Sequence, residues 1–217
     1  SSSGEEIEVN FPTAIPENAD EVSDLENYIG QAYGEPDEWG NQPKYNSLYD
    51  VYKNLIVEGY NLKVTNQGTY TDGIVELGGT YQNAGYDSET NRTVAYPYNV
   101  YVNVEGNLTI TIRRSGATHF NLYILKGSVT LESDYGEQAG VISVAAGATL
   151  TDKRSSIAAN QGIKLFNRGT VRATNTQGYD IGNFSTVYNE GKFNVSGPLT
   201  YSPADGNNSY FMNLGDE

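Results

Sequence analysis

Apolar and polar letters alternate in short bursts, and each burst follows a glycine. Leu108 and Ile110 stand two and four positions after Gly106, Val129 and Leu131 stand likewise after Gly127, and Phe193 and Val195 after Gly191. A period of two places such side chains on one face of a β-strand. Aligned on the glycine, the chain reads "VNVEGNLTI" (Gly106), "YILKGSVTL" (Gly127), "SVAAGATL" (Gly147), "LFNRGTVRA" (Gly169), "VYNEGKFNV" (Gly191) and "FMNLGDE" (Gly215). The intervals are 21, 20, 22, 22 and 24 residues, and weaker copies surround Gly59 and Gly79. A steady period in this range marks a solenoid. Leucine-rich repeats have similar lengths, but their L-x-x-L-x-L core is missing here and no helical run separates the bursts. The predicted fold is all-β: a single-stranded, right-handed parallel β-helix (β-solenoid) of about 20–24 residues per coil, with an N-terminal cap.

Residues 1–50 break the pattern. They are acidic and proline-punctuated, and are expected to form a leader and cap ahead of coils spanning 51–217. Within them "ENADEVSDLENYI" suggests a short helix with Leu25 and Ile29 one turn apart. Trp39 with Tyr28, Tyr33, Tyr45 and Tyr49 is expected to cover the open edge of the first coil. The chain opens on "SSSGEEIEVN" without an initiator Met, as expected at a processing boundary behind an export signal or a lipid-carrying Cys. It stops at "GDE", half-way through a coil, so more coils or another domain are expected to follow.

The repeat itself carries the candidate structural residues. Asn167, Asn189 and Asn213 each precede their glycine by two positions. Stacked coils would align them as an internal ladder at a corner, since Asn tolerates left-handed backbone and its amide can bond its own turn and the next Asn. A polar ligand site is the alternative. Seven residues after the glycine, Arg113, Asp134 and Arg154 alternate in sign, which suggests a surface charge ladder.

Composition narrows the function. The 217 residues include 24 Gly and 18 Tyr, suited to turns and pleated surfaces. A net charge of −14 argues against nucleic acid or an anionic membrane as partner. No cysteine is present, which excludes disulfides, thiolate metal sites and a cysteine nucleophile. No apolar run is long enough to span a bilayer, so a membrane is expected only through an N-terminal lipid anchor. The one histidine, His119, rules out a two-His metal site and comes without a G-x-S-x-G elbow. "YDSETN" (Asp87, Glu89, Asn91) and "EPDEWGN" (Asp37, Glu38, Asn41) are oxygen-rich but lack the EF-hand layout. Solenoid lyases and glycosidases need bases beside stacked acids. Arg113, Arg114, Lys153 and Arg154 could supply bases, yet the acids do not stack beside them. No catalytic residue, metal or cofactor is expected.

The phrases "YVNVEGNLTITI", "LFNRGTVRAT" and "VYNEGKFNVSG" resemble the β-solenoid portion of exported surface proteins of Bacteroidetes, a group that often carries an LruC-type domain and is described as cell-adhesion proteins. The resemblance covers about residues 95–217. It implies export to the cell surface or outer membrane, lipid anchoring, and a role in attachment or display to a host or cell-surface glycan or protein. It brings no catalytic residues. A non-enzymatic adhesion or display module is therefore the first expectation, a carbohydrate-binding module the second, and a polysaccharide-degrading enzyme the third.

Overall fold

A computed structural model describes residues 12–48, 50–51, 61–65, 74–77, 83–87, 92–95, 98–112, 117–133, 137–157, 163–181, 185–201 and 210–215. The alternating segments form strands. In chain order these are β1 (Asp20–Glu21), β2 (Asn61–Val64), β3 (Ile74–Leu77), β4 (Asn83–Asp87), β5 (Arg92–Ala95), β6 (Tyr98–Ile112), β7 (Ala117–Ser133) and β8 (Glu137–Val144). They continue as β9 (Thr149–Asp152), β10 (Ile163–Asn167), β11 (Thr170–Ala173), β12 (Tyr179–Asp180), β13 (Thr186–Asn189), β14 (Lys192–Val195), β15 (Leu199–Thr200) and β16 (Tyr210–Asn213). Among the described residues, helix is confined to the N-terminal segment: one turn, α1 (Val22–Leu25), a 3-10 turn over Glu26–Tyr28, and helical backbone at residues 48, 50 and 51.

Equivalent segments of successive coils pair in parallel. One wall stacks β2, β6, β7, β8, β10, β13 and β16 in that order. Round a corner, a second wall stacks β3, the far half of β6, the far half of β7, then β9, β11 and β14. Strands β12 and β15 belong to a third side, where Ser156 also bridges to Asp180. The protein is a parallel β-solenoid, as the glycine-phased alternation predicts.

Hydrogen-bonded register gives the coil lengths. Asn99 and Asn121 lie 22 residues apart, Asn121 and Val141 20, Asn167 and Asn189 22, and Asn189 and Asn213 24. Asn61 and Asn99 are 38 apart because the antiparallel hairpin β4–β5 is inserted between them. Asp87 ends β4, and Glu89 and Asn91 lie outside the described residues.

Alternation turns every second side chain inward. On the first wall Leu62, Val100, Leu122, Ile142, Leu165 and Val187 line up in register and are buried. On the second wall Leu108, Val129, Leu150, Val171 and Phe193 do the same. Each fully buried aliphatic side chain contributes roughly 1.5–3 kcal/mol, so the stack is held mainly by this interior.

The N-terminal segment closes the first coil. β1 pairs in parallel with β2, Asp20 beside Leu62, and so covers an edge that would otherwise be open. Thr65 donates its hydroxyl to Glu21 at 2.9 Å. Val22, Leu25 and Tyr45 join the same buried cluster as the coils. The expected helix stops short: backbone at Ile29 is extended and Gly30 follows at φ 87°, so Ile29 is 43% exposed instead of sharing a buried face with Leu25.

Candidate interaction surface

The corner between the two walls holds the repeat residues. A Cβ built on Gly169, Gly191 or Gly215 would collide with a carbonyl oxygen of the preceding coil, from Ala148, Gly169 and Gly191 respectively. Gly127 stands at φ 92° against Val104 and the carbonyl of Gly106, whose neighbour Asn107 pairs with Ser128. Gly147 is the exception. Register runs Ser128–Thr149–Thr170, so Ala148, not Gly147, occupies the repeat position. This corner takes all of Ala145–Ala148 to pass from β8 to β9, where Arg168–Gly169 suffices between β10 and β11. The longer turn closes by Ala148 N–H donating to Ala145 C=O at 3.0 Å and needs a left-handed residue, which Gly147 supplies at φ 85°.

The tight corners depend on asparagine. Asn167, Asn189 and Asn213 stack in register. Asn167 Nδ2 donates to Asn189 Oδ1 at 2.7 Å, and Asn189 Nδ2 to Asn213 Oδ1 at 2.8 Å. Each Oδ1 also accepts the N–H of its glycine two residues on, at 3.0, 3.2 and 3.3 Å. One amide thus closes its own turn and ties it to the next. Asn189 is fully buried, so Asn189→Ala is expected to cost about 2 kcal/mol in chemical denaturation by leaving buried groups unpaired. The outer Asn213→Ala should cost less than half of that.

A second asparagine ladder escaped sequence reading. Asn61, Asn99 and Asn121 stack at the start of the first wall, each Nδ2 donating to the Oδ1 of the rung before at 3.2, 2.8 and 2.8 Å, beginning from Asn18. Val141 N–H closes the row on Asn121 Oδ1 at 2.9 Å. Its signal was the recurring aromatic-Asn-aliphatic phrase in "YNLKV", "YNVYV" and "FNLYI".

Charges along the coils neutralise one another. Lys126 meets Glu105, Lys153 meets Glu132 at 2.9 Å, and Arg168 meets Glu190 at 3.2 Å. Arg113, Arg114 and Asp134 lie outside the described residues. Arg154 does not join a surface ladder. Its side chain is turned inside, with Nε and Nη2 each donating to Asp152 at 2.9 Å. Tyr179 donates its hydroxyl to the same carboxylate at 2.6 Å, and Asp152 and Tyr179 are both buried. Burial works against the Arg154 charge, yet the Asp152 carboxylate outweighs it and holds the guanidinium pKa above its ordinary value. Burial, reinforced by the Asp152 charge, pushes the Tyr179 phenol well above its usual pKa. With both partners enclosed, this trio is a structural tie, and Lys153 is occupied by Glu132.

Aromatic side chains face outward on the first wall, again in columns. Tyr101 and Tyr123 stack with ring centroids 5.0 Å apart, and Phe166 and Tyr188 with centroids 4.9 Å apart. Ser143 separates the two pairs. Stacking commits the ring faces to each other, and Tyr101 and Phe166 are themselves buried.

Trp39 differs from all of these. It was expected to cover the first coil but is 78% exposed, at the tip of a loop anchored below it. Tyr45 is buried, stacks on Tyr33 at 4.4 Å and meets Tyr28 edge-on at 6.1 Å. Paired backbone bonds climb from that base: Gly30 N–H to Tyr45 C=O, Tyr45 N–H to Gln31 C=O, Tyr33 N–H to Pro43 C=O and Asp37 N–H to Asn41 C=O. At the tip the Asp37 carboxylate accepts the N–H groups of Trp39 at 3.0 Å and Asn41 at 2.7 Å. Asp37 therefore serves as a turn cap. Among the described residues, no group of three or more His, Cys, Asp or Glu is placed to hold a metal ion, and no helix is long and apolar enough to cross a membrane. Of His119 the structure gives the strand position alone, on β7 opposite Ala139.

Compared with family models, with curated proteins and with solved structures, the chain shows no match.

Proposed function

We propose that this chain is a non-enzymatic β-solenoid module that presents a binding surface for attachment at a cell surface. The observation that carries the reading is Trp39, held out into solvent on a hairpin whose base is fastened into the core. A large aromatic ring left 78% exposed gains nothing for folding, whereas rigid aromatic side chains are the usual anchors of protein contacts. The ion-paired ladders support the same view, since Lys126–Glu105, Lys153–Glu132 and Arg168–Glu190 each tie neighbouring coils together. The resemblance of the repeat to exported Bacteroidetes surface proteins adds the setting: export, lipid anchoring upstream of Ser1, and display on the outer membrane.

The free faces of Trp39 also favour a second reading, a carbohydrate-binding module that stacks sugar rings on the indole. One set of measurements separates these readings and tests the enzymatic alternative. Beads coated with the purified chain are expected to retain cells or surface protein above uncoated beads, with no sharp preference on a glycan array. A single strongly preferred sugar would move the assignment to carbohydrate binding. Release of reducing or unsaturated sugars from a polysaccharide panel would overturn the non-enzymatic reading outright.

A further inference from the structure

The Trp39 hairpin carries more than an exposed ring. The tip sequence "GEPDEWGNQPK" contains Glu35, Asp37 and Glu38 against a single Lys44, and all four are exposed. Asp37 is engaged in the turn, while Glu35 and Glu38 have no ion-pair partner among the described residues. This sets the tip apart from the corner ladders, where Glu105, Glu132 and Glu190 each meet a cation from a neighbouring coil. The whole chain adds a net charge of −14, whose field draws cations and repels anions.

We infer that the hairpin tip is a docking point for a lysine- or arginine-rich segment of a partner protein, with Trp39 receiving the cationic side chain and Glu35 and Glu38 neutralising its neighbours. An ammonium or guanidinium group is attracted to the face of an indole, and Trp is the strongest of the aromatic acceptors. Nearby carboxylates add Coulomb attraction that a neutral sugar does not exploit. Pre-organisation favours the contact as well: the paired backbone from Gly30 to Tyr45 and the Asp37 cap fix the tip before binding, so little backbone order remains to be imposed. The inference rests on the attachment reading and names the chemistry of the partner.

Trp39 is the only tryptophan in the chain, so its fluorescence reports on this tip alone. Titrating the intact protein with oligo-lysine or oligo-arginine is expected to shift or quench the emission saturably, and added salt should weaken the binding. The double variant Glu35→Gln/Glu38→Gln keeps the reporter and changes only exposed side chains. It should bind the same peptides about tenfold more weakly, a factor equal to roughly 1.4 kcal/mol. Unchanged affinity in that variant would overturn the assignment. So would a saturable response to neutral oligosaccharides with none to basic peptides, which would make the tip a sugar platform. If the emission ignores basic peptides while coated beads still retain cells, the docking inference fails and the attachment reading stands. If retention is lost too, both fall.

Discussion

Gly191→Ala is expected to destabilise the protein by about 3 kcal/mol, at the upper end of what overpacking costs. The added methyl group would collide with the Gly169 carbonyl oxygen and lie within 2.9 Å and 3.0 Å of Arg168 C and O. All three are backbone atoms of the coil before, and they cannot rotate away. Lys192 N–H donates to that Gly169 oxygen at 2.9 Å and Glu190 N–H to Asn167 C=O at 2.8 Å, so relief would require separating two coils. Gly147→Ala is the matched control. Its Cβ would have nothing within 4 Å, and only the left-handed backbone at φ 85° opposes it, a penalty of about 1 kcal/mol. Denaturant midpoints should rank wild type, Gly147→Ala and Gly191→Ala in falling order. Equal midpoints for the two variants would refute close stacking at the corner.

Asp152→Ala is expected to cost still more, about 3–5 kcal/mol, because it removes the carboxylate that faces a buried guanidinium. Arg154 would lose two hydrogen bonds and the buried Tyr179 hydroxyl its bond to the carboxylate. The double replacement Asp152→Leu/Arg154→Leu should recover most of the loss, since the neighbouring rungs present Leu131 and Ala173 at the Asp152 position. If the single and double variants melt together, the trio is not an energetic unit. Alkaline pH acts on the same place. The folded state holds the Tyr179 proton more tightly than the unfolded chain does, so this contribution is complete below the ordinary phenol range and is lost as pH rises through the higher folded value. Tyr179→Phe should therefore lessen the alkaline loss of stability.

The stack was legible because its signals are local. Alternation reports a strand, and Asn-x-Gly reports a two-residue corner whose amide bonds its own turn. What stayed hidden depended on a single residue of phase. Counting from Gly147 puts Thr149 and Thr151 on the inner face; counting from Ala148, the residue actually in register, puts Leu150 and Asp152 there. A one-residue slip exchanges the two faces of a strand, and here it concealed the buried acid and made Arg154 look like a surface charge. The row from Asn18 to Asn121 was missed for a different reason: no glycine accompanies it, so it fell outside the alignment. Trp39 carries no periodicity at all. Its exposure follows from how the loop between Gly30 and Tyr45 is anchored, which depends on Tyr33 and Tyr45 meeting across the chain.

The hairpin β4–β5 lengthens one coil to 38 residues, yet Asn61 and Asn99 on either side of it remain hydrogen-bonded neighbours. Growth at the flank therefore leaves the spine undisturbed. Such a chassis can acquire, trade or discard side loops one at a time, and new specificities can arise without the rod having to be reinvented.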